Sequence, residues 1–301
     1  MFLIIILYLF CAASFTISKA VLDYGAPFFF VGVRMLSAGA LLLGYSLYKK
    51  NLVSIARKDF LNFFYIIFVH IYIVYMSDLW ALQYMSSSKS SFIYSLSPFV
   101  AALFSYFYFS ESMTPKKWLG LIIGFASSIP ELYYSSPGDT DIALCGFISW
   151  PEFFMVVSMV ASVWGWVLLR DLVKDHAYEP SFVNGFGMFF GGILSLITSF
   201  FVETWWIQSP VWDVKNFALL TAAIVITCNL IYYNMYGLLL RKYTATFLSF
   251  AGFLTPIIVA VLGMVFLNEK VSGVFFVSVF AVAIGLYIFY QEELRQGYIE
   301  Q

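Results

Sequence analysis

Charge is what this chain lacks most. Only 11% of its 301 residues are charged, against about 25% in soluble domains, too few to clothe a water-facing surface. The two histidines and three scattered cysteines (Cys11, Cys145 and Cys228) show no metal-ligand spacing and no disulfide framework. A net charge of −1 leaves no basic footprint for nucleic acid. No glycine-rich nucleotide loop and no polar domain are written into the chain. An enzyme therefore has little to stand on and no cofactor is expected. The alternative of another class is a membrane-embedded transferase using Glu131 or Glu152 as acid or base, with a non-transporting scaffold as a weaker third.

What fills the chain instead is apolar. Hydrophobic residues make up 62% of it and the mean hydropathy is +0.88. At roughly 20 apolar residues per spanning helix, the length accommodates about ten helices. The sequence predicts an all-α polytopic membrane protein. The 34 Phe and 21 Tyr carry no ligand argument by themselves, because an AT-rich genome raises both everywhere.

One stretch is written twice. Ser86–Glu111 (SSSKSSFIYSLSPFVAALFSYFYFSE) aligns without a gap on Thr244–Glu269 (TATFLSFAGFLTPIIVAVLGMVFLNE). Identical pairs are Ser91/Ser249, Phe92/Phe250, Leu96/Leu254, Pro98/Pro256, Ala102/Ala260 and Glu111/Glu269, and hydroxyls match at Ser86/Thr244, Ser88/Thr246 and Ser97/Thr255. Each copy reads as an apolar helix that starts with small hydroxyl residues, carries one proline and ends at a glutamate. Two unrelated apolar segments would not keep the proline, the glutamate and the distance between them, so the chain is an internal duplication.

Taken in order, Met1–Leu22 reads as an uncleaved first span, since no basic segment precedes it and no small residue precedes Cys11 as lipoprotein cleavage requires. Further spans are Pro27–Tyr48, Phe60–Tyr84, the first repeated copy, and a helix opened by Pro115 that fades at Pro130. The polar break Ser135–Asp141 divides the chain into residues 1–138 and 139–301. The second half supplies Ile148–Leu169, Phe182–Phe201, Phe217–Leu240, the second copy, and Val271–Tyr290. With the N-terminus inside, Lys49, Lys50, Arg57, Lys58, Lys116, Lys117, Arg170, Lys174, Arg241, Lys242 and Arg295 are cytoplasmic, and only Lys19, Lys89, Lys215 and Lys270 fall outside. Positive charge inside fixes this orientation and puts both termini in the cytoplasm. Five spans per repeat is an odd number, so the halves run in opposite directions. Inverted repeats are a construction of secondary transporters.

The ten spans, the two halves and the Pro…Glu pattern resemble the EamA-type drug/metabolite transporter superfamily. CAASFTISKAVLDYGAPFFFVGVRM is similar to that family's first two helices, with Lys19 ending one and Arg34 early in the next, and WLGLIIGFAS resembles its fifth helix. The pattern departs in the second half, where Ser278 stands at the position matching Gly120. The first two helices are most similar to the S-adenosylmethionine/S-adenosylhomocysteine transporters of obligate intracellular bacteria, a branch of this superfamily. The resemblance implies a secondary transporter of a small zwitterion in a bacterial inner membrane, with an amino-acid carrier as runner-up. Its partners are then a small-molecule substrate and the bilayer, with a homodimer compatible.

Charges inside a bilayer are costly and usually functional. Lys89 is singled out because its repeat partner is Phe247; it either faces a cavity and holds an anionic group or points at headgroups. Asp78 is a cation partner, or else a salt bridge to Arg34 or Lys89. Glu152 completes the same set of charges. Arg34 reads as a structural bridge between helices, alongside Pro98, Glu111, Pro256 and Glu269. His70 reads as an interhelical hydrogen bond. Aromatic and polar stripes at helical spacing add Trp80, Tyr75 and Tyr94 in the first half and Trp166, Asn229, Tyr233 and Tyr236 in the second. A single stripe is ordinarily helix packing. Tyr75 and Tyr233 are repeat equivalents, and this recurrence favours the wall of a cavity.

Overall fold

The computed structural model describes residues 2–50, 54–109, 113–133, 149–243, 248, 251–252 and 255–297. Glu111, the boundary between residues 138 and 139, Cys145, Phe247 and most of the second copy's first turns lie outside them, as does the side chain of Glu131. The described residues are helical, with one isolated bridge between Gly25 and Val211. We label the helices α1 (Phe2–Val21), α2 (Pro27–Tyr48), α3 (Arg57–Leu82), α4 (Ser87–Tyr94), α5 (Ser97–Phe109), α6 (Pro115–Tyr133), α7 (Trp150–Asp175), α8 (Pro180–Val202), α9 (Val214–Leu239), α10 (Thr255–Phe266) and α11 (Gly273–Arg295). Among them, seven are long and apolar enough to cross a membrane: α1, α2, α3, α7, α8, α9 and α11. This is a multi-pass membrane protein.

The first repeated copy is not the single helix its composition suggests. It breaks at Ser95–Leu96 into α4 and α5. The cause is local. Pro98 has no N–H to give and disfavours helical geometry in the residue before it. Ser91 and Ser95 hydroxyls turn back onto the Ser88 and Phe92 carbonyls at 2.8 and 2.6 Å, competing with the helix ladder. The chain then restarts with a proline in the first turn of α5, where its missing donor costs nothing. In the second copy, α10 starts at Thr255, the equivalent of Ser97, again with a proline next.

The same register recurs elsewhere. α6 opens at Pro115 and α11 at the matching Gly273. Both α3 and α9 contain an eight-residue π-helical stretch, Ile66–Ile73 and Val225–Tyr232, close to the paired Tyr75 and Tyr233. Matching helices also pack on each other. Along α2 and α8, a Cβ at Gly39 would fall on the backbone of Phe189, and one at Gly192 on that of Leu36. Between α6 and α11, a Cβ at Gly120 would lie 2.7 Å from the Gly285 carbonyl, and one at Gly285 would lie 2.7 Å from that of Gly120. Small residues let membrane helices approach this closely, where packing must replace the hydrophobic drive.

The helix ends sort into two faces. On one, Trp212 Nε1 donates to the Asp23 carbonyl at 2.6 Å, and Lys19 reaches the Leu82 carbonyl at 2.6 Å. On this same face, second-half glutamates cap first-half helices. Glu203 accepts from the Phe28 and Phe29 amides at 2.7 and 2.8 Å, and Glu269 accepts from the Ser87 amide and hydroxyl at 2.7 and 2.9 Å and from the Ser88 hydroxyl at 3.0 Å. A carboxylate there satisfies orphan amides and the positive end of the helix dipole. Burial pushes the Glu203 carboxyl up, while Ser199 and the two amides pull it back. On the opposite face, His176 lies 3.0 Å from Asp59, Tyr178 donates to Asp59 at 2.8 Å, and Arg241 pairs with Glu179 at 3.2 Å. The outer rim is apolar, with Leu41, Phe201, Val265 and Phe280 more than half exposed.

Candidate substrate cavity

Between the helices lies a cavity of about 120 Å³, roomy enough for several waters. Its wall combines residues of both halves. The break of the first copy and the start of α10 meet there: Ser95 and Ser97 from the first copy, Gly252, Thr255 and Pro256 from the second. The N-terminal turns of α5 and α10 thus open on the cavity.

One side of the wall is aromatic. Trp166 of α7 packs with its centroid 4.0 Å from Tyr236 and 4.9 Å from Tyr233, both on α9. Tyr233 and its repeat equivalent Tyr75 share a hydrogen bond, their hydroxyls 2.6 Å apart. Tyr94 is held by Ser158 at 2.7 Å and lies edge-on to Phe15. His70 is buried behind the wall, edge-on to Trp166 at 4.8 Å, in the space left by Gly165. Neither of its ring nitrogens has a side-chain hydrogen-bond partner among the described residues; its polar contact is with the Ser162 backbone of α7.

The charges are arranged differently from the sequence-based expectation. Arg34, expected as a bridge, lines the cavity while being 2% exposed. Its Nε donates to Asn229 Oδ1 at 2.8 Å and Nη2 to Cys228 Sγ at 3.1 Å, so it also bridges α2 to α9. The guanidinium sits 4.8 Å over the Tyr75 ring, a favourable cation–π geometry. Asp78 lines the same cavity, and its Oδ1 has no hydrogen-bond partner among the described residues. Lys89 is elsewhere. Its ammonium is 2.7 Å from Glu152 Oε1, both side chains are 3% exposed, and neither lines the cavity. The expected headgroup contact and cavity contact are both replaced by a buried ion pair, because a capping box formed by Ser149 and Glu152 sets that carboxylate beside the first turns of α4.

Of the residues read as substrate-binding, Tyr75, Asp78, Tyr94, Trp166, Tyr233 and Tyr236 are brought together, and Lys89, Glu152, Trp80 and Asn229 are not part of the wall. Trp80 packs tilted on Tyr84 and edge-on to Phe154 instead, at 5.1 and 4.9 Å. Asn229 serves Arg34. Pro256 is in the wall; Glu269 is a cap remote from it. Four residues of α1 that the sequence did not single out, Cys11, Ser14, Phe15 and Ser18, also line the cavity. Their spacing of three and four residues is a helix-face signal, hidden by the apolar run around them.

A helix break in the first copy and a helix start in the second, meeting at an aromatic-walled cavity inside a membrane bundle, suit a carrier. The comparisons make this specific. The EamA-like transporter family profile matches residues 1–129 and 149–291, and the chain belongs to that family. It is a transporter, and the transferase reading falls away on family membership. Relatives include the S-adenosylmethionine/S-adenosylhomocysteine transporter of Chlamydia muridarum, 34% identical over 96% of this chain and 90% of that protein. The protein of the same name in Chlamydia trachomatis serovar L2 is 33% identical over 96% and 88%. A solved crystal structure covers 96% of this chain and 97% of its own at a TM-score of 0.70 and 16% identity, a likeness of fold alone.

Proposed function

We propose that this protein exchanges S-adenosylmethionine for S-adenosylhomocysteine across a bacterial inner membrane. In this reading ten helices form two inverted five-helix halves, residues 1–138 and 139–301, with both termini cytoplasmic, and the halves rock about the central cavity. The observation that carries it is the meeting of the Ser95–Ser97 break and the Thr255–Pro256 helix start at one cavity, since interrupted helices are where transporters of this kind hold substrate. The common register of helix starts and the two family matches support the halves. The aromatic wall of Trp166, Tyr233 and Tyr236 suits a nucleoside base and a sulfonium cation, worth on the order of 0.5–2 kcal/mol per aromatic face. Lipid covers the rim, and a homodimer through it is compatible.

Purified protein in liposomes loaded with unlabelled S-adenosylhomocysteine is expected to take up labelled S-adenosylmethionine. External S-adenosylhomocysteine should compete, and methionine or tryptophan should not. Uptake of tryptophan or another amino acid, with none of S-adenosylmethionine, would favour the amino-acid carrier and remove the proposed substrate.

A further inference from the structure

The cavity holds a cation and an anion that attract each other across it but make no direct ion pair. Arg34 carries five N–H donors. Asn229 takes one and the weak acceptor Cys228 another. That leaves three donors without a hydrogen-bond acceptor among the described residues. Asp78 contributes a carboxylate to the same wall with Oδ1 unpartnered, and the described residues give Arg34 and Asp78 no ion pair. Opposite charges held in a buried cavity without direct contact are expensive, and a protein keeps them where a ligand placed between them completes the pairing. The guanidinium is positioned in advance: Asn229 fixes its Nε edge and Tyr75 lies under its face. A fixed fork with open donors matches a carboxylate's two oxygens. A carboxylate with one oxygen open in the same cavity matches an ammonium.

We infer that Arg34 and Asp78 form a zwitterion clamp in the central cavity, the guanidinium taking the α-carboxylate and Asp78 the α-ammonium of the substrate's amino-acid end. The inference rests on the proposed carrier function. It moves the carboxylate site from Lys89, whose charge is spent on Glu152, to Arg34, and it turns the substrate so that its aromatic part lies toward Trp166 and Tyr236. Hydroxyls of Ser14, Ser18 and Ser91 supply the polar surroundings of the clamped end.

The test is equilibrium binding to purified protein with a matched set of ligands: S-adenosylmethionine, its decarboxylated analogue, and an analogue lacking the α-amino group. Wild type should bind either analogue at least ten-fold more weakly than the parent. Arg34→Gln should weaken the parent at least ten-fold yet leave the decarboxylated analogue unchanged, erasing the discrimination. Asp78→Asn should do the same for the deaminated analogue. Arg34→Lys, which keeps charge without the fork, should retain part of the preference. A uniform loss for all three ligands in Arg34→Gln, with its melting temperature lowered, would make Arg34 a structural bridge only and overturn the clamp. Equal wild-type affinity for parent and decarboxylated analogue would overturn it even if the variants fail to fold. Should wild type bind no sulfonium nucleoside but bind tryptophan, the proposed substrate fails and the clamp is read from tryptophan against tryptamine, with the same criteria.

Discussion

At the residue scale, the pairing of Lys89 with Glu152 decides what each substitution does. Two charges 2.7 Å apart and almost fully buried tolerate joint removal far better than the loss of one. Lys89→Ala leaves Glu152 as an uncompensated buried carboxylate and is expected to cost about 3–5 kcal/mol, visible as a drop in folded protein recovered from membranes. The double variant Lys89→Met with Glu152→Leu should restore abundance and much of the transport. A folded double variant that transports nothing would return Lys89 to the substrate. The residues of the aromatic wall differ in kind. Tyr75 and Tyr233 hold each other through one hydrogen bond, so either changed to Phe loses that bond while both rings stay to pack.

At the scale of elements, the short helix α4 depends on groups from other parts of the chain. Eight residues form a marginal helix in isolation. Ser86 caps it locally, accepting from the Lys89 amide at 3.2 Å, and Glu269 takes the amide and hydroxyl of Ser87 and the hydroxyl of Ser88. Glu269→Ala should therefore lower stability by about 0.5–2 kcal/mol, the range for a lost cap, and shift the melting temperature of detergent-purified protein down by several degrees. Glu269→Gln, which keeps an acceptor, should shift it less. An unchanged melting temperature in Glu269→Ala would show that the cap contributes nothing to α4. The break after α4 is likewise an element-scale device. It puts Ser95, Ser97 and the first turn of α5 in the cavity wall.

At the scale of the whole molecule, two faces follow from which helix ends meet. Asp23, Glu203, Trp212 and Glu269 belong to one, Asp59, His176, Glu179 and Arg241 to the other. With the positive charge inside, cysteine placed at Glu269 should label from outside the cell, and cysteine placed at Glu111 only after the membrane is opened. Labelling of both from one side would remove the inverted repeat and the rocking mechanism with it. In that reading the proposed halves meet at the glycine contacts of α2 with α8 and α6 with α11.

The membrane class, the transporter family and the prolines that open α5 and α10 were legible in the sequence, because composition and local motifs survive without knowledge of packing. Six of the wall residues were legible too, since Tyr75, Tyr94, Trp166 and their neighbours place polar tips on otherwise apolar helices. The rest was decided by tertiary structure. In lipid both faces of a helix are apolar, so hydropathy does not say which way it is rotated. Arg34 and Lys89 therefore look alike in sequence, each a single cation near a helix start. Only the arrival of Asn229 beside one and Glu152 beside the other separates them: the first leaves donors open to the cavity, and the second consumes the charge.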